Sequence, residues 1–371
     1  MTAGSRAGWT GTRVVALVAG VVLIIVAAVV VTRHGRAADG CVSAVPVRGV
    51  IGSEKEPFFD DDRVTARLAC LGYEVAVDSR GSREMLDSLT RAVHDYGFAF
   101  PSSTPAAQKI MRTLEVDERL PLFSTPMAVA TFRPIVAVLT RAGVVVKASD
   151  GADVLDIAAL LDLARRGVTW DQLAGNVEYP ARKTVLLSTT DPQDSNSAIM
   201  YLSIASQVAN GGAIVTTPAQ VEAVLPDLCR LVFDQGNKPE TSQVLFDNYL
   251  VDGMGRTPMA LVYEAQYDTT APAPSLGPDN VLVHPRPTVY SRHTLIPLTA
   301  EGRAVGQALR DDPELVRLAE EHGFRPEKPS GQPVTKRPRP VDVVESPSFE
   351  VLETMLSALA PTAQNAARCT Q

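Results

Sequence analysis

Small hydroxyl, amide and charged residues recur in this sequence directly after short apolar runs, where a strand would hand over to a helix. The first group is Gly52-Ser53-Glu54-Lys55, the second Asp78-Ser79-Arg80-Gly81-Ser82-Arg83, the third Pro101-Ser102-Ser103-Thr104. The fourth is Thr189-Thr190-Asp191, followed by Ser195-Asn196-Ser197, and the fifth is Glu264-Ala265-Gln266. A helix start leaves backbone N–H groups without intrahelical partners, and its dipole favours negative charge. Such loops suit a small polar or anionic ligand. Any one Ser or Asn before a helix is an ordinary N-cap. Five strand ends of the same character, with Arg80 and Arg83 adding charge, make a candidate binding set. It comprises Ser53, Glu54, Ser79, Arg80, Ser82, Arg83, Ser102, Thr189, Asp191, Ser195, Asn196, Ser197 and Glu264.

Catalytic patterns are missing from the same sequence. The five histidines, His34, His94, His284, His293 and His322, form no metal-ligand spacing. There is no GxSxG elbow, P-loop or GxGxxG, and no CxxC pair. Neither a cofactor nor a metal is expected, and binding is favoured over catalysis. A net charge of −7 and a pI near 5.4 argue against a nucleic-acid partner, which would need a basic face.

The elements that position these loops read as α/β. Residues 46–51 form a strand, the acidic Asp60–Asp62 opens a helix that stops at Gly72, and Tyr73–Val77 is the next strand. A β-α-β start implies a parallel sheet with a right-handed crossover. Strands follow at Phe98–Phe100, Met127–Phe132, Lys183–Ser188 and Met259–Tyr263, with an extended segment at Val281–Tyr290. Helices are predicted at Thr104–Leu114, Ile135–Ala142, Val154–Arg166, Trp170–Leu173, Ser197–Val208, Ala219–Phe233, Ser242–Leu250, Ala300–Leu309 and Pro313–His322. In an open parallel sheet, ligands bind beyond the carboxyl ends of the strands. The chain of 371 residues is long enough for two lobes with separate cores.

The ends of the chain carry a different message. Val14–Val31 is an unbroken apolar or small-residue run, which as a helix covers roughly 27 Å, close to a hydrocarbon core. It is longer than a secretory h-region and predicts a signal anchor in the cell membrane, with the main domain extracytoplasmic. All four cysteines, Cys41, Cys70, Cys229 and Cys369, lie beyond it, as an oxidising compartment would give. Of three pairings, topology favours Cys41–Cys70, because the first helix returns Cys70 toward the start of the first strand. That leaves Cys229–Cys369. Arg325–Pro340 is a proline-rich connector, and Phe349, Leu352, Met355, Leu356 and Leu359 share a face of a last helix.

In order, the segments Gly52–Lys55, Asp78–Glu84, Phe98–Ser102, Ser124–Ala130, Ser195–Ala198, Tyr263–Gln266 and His293–Leu298 resemble the bacterial extracellular solute-binding proteins of the type II periplasmic-binding fold. Most similar are actinobacterial members, some fused to von Willebrand factor A domains. The resemblance spans residues 46–326 and implies a two-lobed flytrap. Residues 1–13 would then be a cytoplasmic tail, 14–31 the anchor and 32–45 a linker. Lobe one would be 46–128 with 290–326, lobe two 129–289, and 327–371 the connector and last helix. The implied function is capture of a small ligand in the interlobe cleft for uptake or sensing, with a membrane permease or a sensor as partner. The alternative is a ligand-free flytrap scaffold acting as a surface interaction module.

Overall fold

The computed structural model describes residues 44–236, 238–270, 275–327, 340, 342–360, 362, 365 and 369. The expected anchor at Val14–Val31 and Cys41 lie outside the described residues. Among those described, no helix is long and apolar enough to cross a membrane.

Among the described residues, nine strands of three residues or more build the body: β1 (Val45–Gly52), β2 (Tyr73–Arg80), β3 (Phe98–Phe100), β4 (Leu120–Phe132), β5 (Val145–Lys147), β6 (Asp153–Asp156), β7 (Met259–Tyr263), β8 (Asn280–Arg286) and β9 (Thr288–Pro297). β1 pairs parallel with both β2 and β3, as the β-α-β start requires. The helix between the first two, Asp62–Cys70, is capped by Asp61, whose carboxylate accepts from the Arg63 N–H. An acidic residue at that end is favoured by the helix dipole.

Beyond β3 the sheet turns mixed, which corrects the expectation of parallel character throughout. β9 runs antiparallel to β3 and to the first half of β4. From Met127 onward β4 changes partners, to β7 and β8, again antiparallel. One continuous strand thus belongs to two sheet regions, with buried residues on nearly every position of its second half. β6 then pairs parallel with β8, and β5 closes the far edge.

Two other sequence expectations need correction. Lys183–Ser188 is not a strand: it forms only isolated bridges, Thr184 to Thr169 and Ser188 to Ala260. Val185 and Leu187 are still buried, but the segment meets β7 only at its last residue, too little for a ladder. Val154–Asp156 is strand and not helix, because Asp156 accepts from the N–H groups of Ala158 and Ala159 and so caps Ile157–Arg165.

Two separate cores follow. One gathers Val47, Ile51, Phe58, Phe98, Phe123, Leu295 and Phe324, with a neighbouring cluster around Val50, Met85 and Ile110. The other gathers Val129, Leu160, Leu187, Met200, Leu228, Phe246 and Leu261. The last helix, Phe349–Ala358, adds Val351, Leu352, Met355 and Leu356 to this second core. Cys229 and Cys369 are joined across 140 residues, with Cα atoms 5.5 Å apart. Cys70 is also disulfide-bonded.

Candidate functional site

The loops after β1, β2 and β3 meet two loops of the second lobe. Gly52 leads β1 into a short turn, Ser53–Lys55, in which all three residues are buried. β2 passes through Gly81 into helix Ser82–Ala92. β3 passes through Ser102 and Ser103 into helix Thr104–Leu114. From the opposite lobe come Ser195 before helix Asn196–Ala209 and Thr241 before helix Ser242–Arg256. Four helix N-termini therefore converge, and each contributes fractional positive charge. Gly81 and Ser195 make no side-chain cap bond to their own helices, which leaves N–H groups there for another acceptor.

Gly52, Ser53, Glu54, Arg80, Gly81, Ser102, Ser195, Asn196, Thr241, Ser242 and Tyr263 line a narrow space between the lobes with room for about one water. The lobes touch across it. Ser53 Oγ lies 3.3 Å from Ser242 Oγ, and Ser103 Oγ donates to Asn196 Oδ1. Asn196 Nδ2 donates to the Ser102 carbonyl and, at 3.0 Å, to the Tyr263 hydroxyl. At Gly81 a Cβ would stand 2.6 Å from the Asp194 carbonyl oxygen, so only glycine permits this approach.

Beneath the space is a buried polar floor. Lys55 Nζ, with no exposure, donates to Glu54 Oε1, to Ser102 Oγ at 3.3 Å and to His293 Nδ1 at 3.3 Å. It also lies 4.8 Å from the centroid of the Phe100 ring. His293 Nε2 then donates to Ser291 Oγ, which donates to the Ser102 carbonyl. The chain of donors works only with His293 neutral, and burial with the Lys55 charge pushes its pKa down to about 3. Burial opposes the charge on Glu54, yet the Lys55 ammonium and the Ser102 hydroxyl hold its carboxyl below the usual range. Burial likewise pulls the Lys55 ammonium down from the ordinary amine value, against the attraction of Glu54.

This arrangement has a pH signature. The folded pKa of His293 is depressed below its unfolded value of about 6.5, so its contribution is complete above that pH and is lost as pH falls toward 3. Between pH 6.5 and 5 the protein should lose about 2 kcal/mol through this one group. His293→Gln should make the unfolding free energy shallower with pH by nearly one proton over that interval. Parallel slopes in wild type and variant would refute the assignment.

No protein-family model matches the sequence, and no curated protein does. Solved structures do. The substrate-binding protein of an ABC transporter from Agrobacterium tumefaciens is 14% identical, covers 90% of this chain and 96% of its own, and superposes with a TM-score of 0.56. A periplasmic thiamin-binding protein gives 8%, 88%, 97% and 0.56 in the same order, and iron-bound HitA from Pseudomonas aeruginosa gives 9%, 85%, 99% and 0.54. The chain has the two-lobed periplasmic-binding fold. At these identities the likeness is one of fold.

Within the periplasmic-binding fold the space described above is the interlobe cleft. The structure brings together six residues that the sequence nominated: Ser53, Glu54, Arg80, Ser102, Ser195 and Asn196. Ser197 stands behind them, its hydroxyl 2.7 Å from Thr190 Oγ1 and 3.1 Å from Ser195 Oγ. Thr189 is held by Gln235 through its N–H and its hydroxyl. Asp191 shapes the approaching turn, accepting from Gln193 N–H, and lies 3.6 Å from Lys238. Ser79 stays within β2, opposite Ile51. Glu264 is elsewhere: its buried carboxylate is shared by His284 at 2.7 Å and Arg325 at 2.6 Å. The side chains of Ser82 and Arg83 lie outside the described set. Thr241, Ser242, Tyr263 and the Lys55–His293 floor were not nominated. Thr-Ser before an apolar-faced helix was the available signal for the first two.

Proposed function

We propose that this chain captures a small anionic solute between its lobes, outside the cell, for uptake or sensing. The observation that carries this reading is Arg80, whose buried Nε–H has no hydrogen-bond partner although the residue lines the cleft. Leaving such a donor unmet costs about 1–3 kcal/mol, which a bound acceptor would return. The helix N-termini and hydroxyls point to the same charge. Glu54, ionised in the wall of the cleft, asks the ligand to bring a donor of its own: an acidic proton, a hydroxyl or an amine. Solved proteins of this fold that are described as thiamin-binding and substrate-binding support solute capture in general. The reading places the lobes at 46–128 with 290–326 and at 129–289, with Val14–Val31 as membrane tether and a permease or sensor as partner.

The test is a thermal-shift panel of phosphate, sulfate, and small hydroxy and amino acids. A true ligand at about 100 times its Kd should stabilise the protein by about 2.7 kcal/mol. Arg80→Met should abolish that shift while folding normally, since Arg80 is half-exposed and among the described residues its ion-pair partner is Glu84, 3.4 Å away. A shift unchanged by the substitution would sink the site assignment. Silence across the panel would favour the second reading, a ligand-free scaffold. That reading draws on the direct bonds Ser103–Asn196 and Ser53–Ser242, by which the lobes already satisfy each other.

A further inference from the structure

We propose that the C-terminal helix Phe349–Ala358 is a latch holding the lobes together, fastened to the second lobe by the Cys229–Cys369 disulfide. One side of this helix is committed to the second lobe. Val351, Leu352, Met355 and Leu356 are buried in its core, and Cys369 bonds to Cys229 on helix Pro218–Phe233. Asn365 Nδ2 closes the following turn by donating to the carbonyls of Ser357 at 2.8 Å and Ala360 at 3.0 Å. Gln193, in the loop leading to Ser195, donates to the Leu356 carbonyl at 2.9 Å.

The other side grips the first lobe. Glu353 lies 3.2 Å from Lys109, Glu350 pairs with Arg112, and both cations sit 5.5–5.6 Å from the Phe349 ring centroid. Lys109 and Arg112 belong to helix Thr104–Leu114, whose N-cap Ser103 bonds Asn196 across the cleft. A single helix therefore touches the loop before Ser195 on one side of the ligand space and the helix that follows Ser103 on the other.

The two grips are unequal. Apolar burial and a covalent bond hold the second lobe, whereas partly exposed ion pairs and cation–π contacts hold the first. Such pairs are individually weak, so the first-lobe grip is the one that releases when the lobes part. A narrow crevice bordered by Leu86, Ala106, Ile110, Ile199 and Phe349 runs beneath the helix. The proposal rests on the lobes parting, as the proposed function requires, but involves no ligand.

The test measures lobe separation in the full chain in detergent micelles without ligand. Spin labels are placed by non-cysteine chemistry at exposed Arg91 and Arg182, and distances are read by double electron–electron resonance. Wild type should show mainly the short distance. The Phe349→Ala, Glu350→Gln, Glu353→Gln variant should raise the open-to-closed ratio about tenfold, and about 1 M salt should move wild type part of the way. Ala106→Met, which fills the crevice, should shift the ratio oppositely. An unchanged distribution in the folded triple variant, or a wild type already centred on the long distance, would overturn the latch. Because no solute is added, failure here is distinct from failure of the Arg80 experiment.

Discussion

Lys55→Met should lower the stability of this protein by about 3–5 kcal/mol, the cost of removing one partner from a buried ion pair. The side chains of Lys55 and Glu54 are 0% and 2% exposed, so water cannot replace the lost ammonium. Glu54 would keep the Ser102 hydroxyl, at 2.7 Å, with His293 Nδ1 3.5 Å away, and would respond by taking up a proton. The loss should therefore shrink as pH falls and Glu54 protonates in the variant. The double variant Glu54→Gln, Lys55→Met should recover most of the loss, because a buried pair replaced whole is often close to neutral. Urea unfolding of the three proteins at pH 7 and pH 5 decides the matter. A single-variant loss under about 1 kcal/mol would mean that the pair is not the floor of the cleft described here. Ligand capture should fall with it, since Lys55 also holds Ser102 in place.

That floor was the least legible part of the sequence. A lysine following Gly-Ser-Glu reads locally as a solvated loop residue, and lysine is almost never fully buried unless paired. Its burial depends on His293 of β9, brought against the end of β1 by the antiparallel pairing of β9 with β3 and β4. No local pattern encodes that long-range pairing. By contrast, Ser53, Glu54, Arg80, Ser102, Ser195 and Asn196 could be found because strand-end position is a local property that follows from α/β alternation. Thr241 and Ser242 escaped because their helix is entered from a loop and not from a strand. Tyr263 escaped because it is the last residue of β7 and not the first after it. Strand direction was hidden for the same kind of reason. The apolar run of β4 tells that both faces are covered, but not that its two halves face different partners.

The disulfide offers the second large effect. In the chain-entropy account, a cross-link closing a loop of 140 residues restricts the unfolded chain by about 5 kcal/mol, and measured losses on removing native disulfides run to about 2–5. Cys369→Ser should therefore cost about 3–5 kcal/mol if the tail unfolds together with the second lobe. Burial argues that it does. Undocking the last helix would expose Val351, Leu352, Met355 and Leu356, each less than a tenth exposed, together with the surface of helix Pro218–Phe233 beneath them. At roughly 25 cal/mol per Å² that exposure is too costly to be an independent event in a stable lobe. Removing the cross-link should accordingly shift the whole transition to lower denaturant without splitting it. Amide exchange supplies the discriminating measurement. If protection of Phe349–Ala358 falls in step with that of helix Asn196–Ala209, the tail is part of the second lobe. If it falls alone, with the global midpoint unmoved, the helix is an appendage, and the firm half of the proposed latch has no foundation.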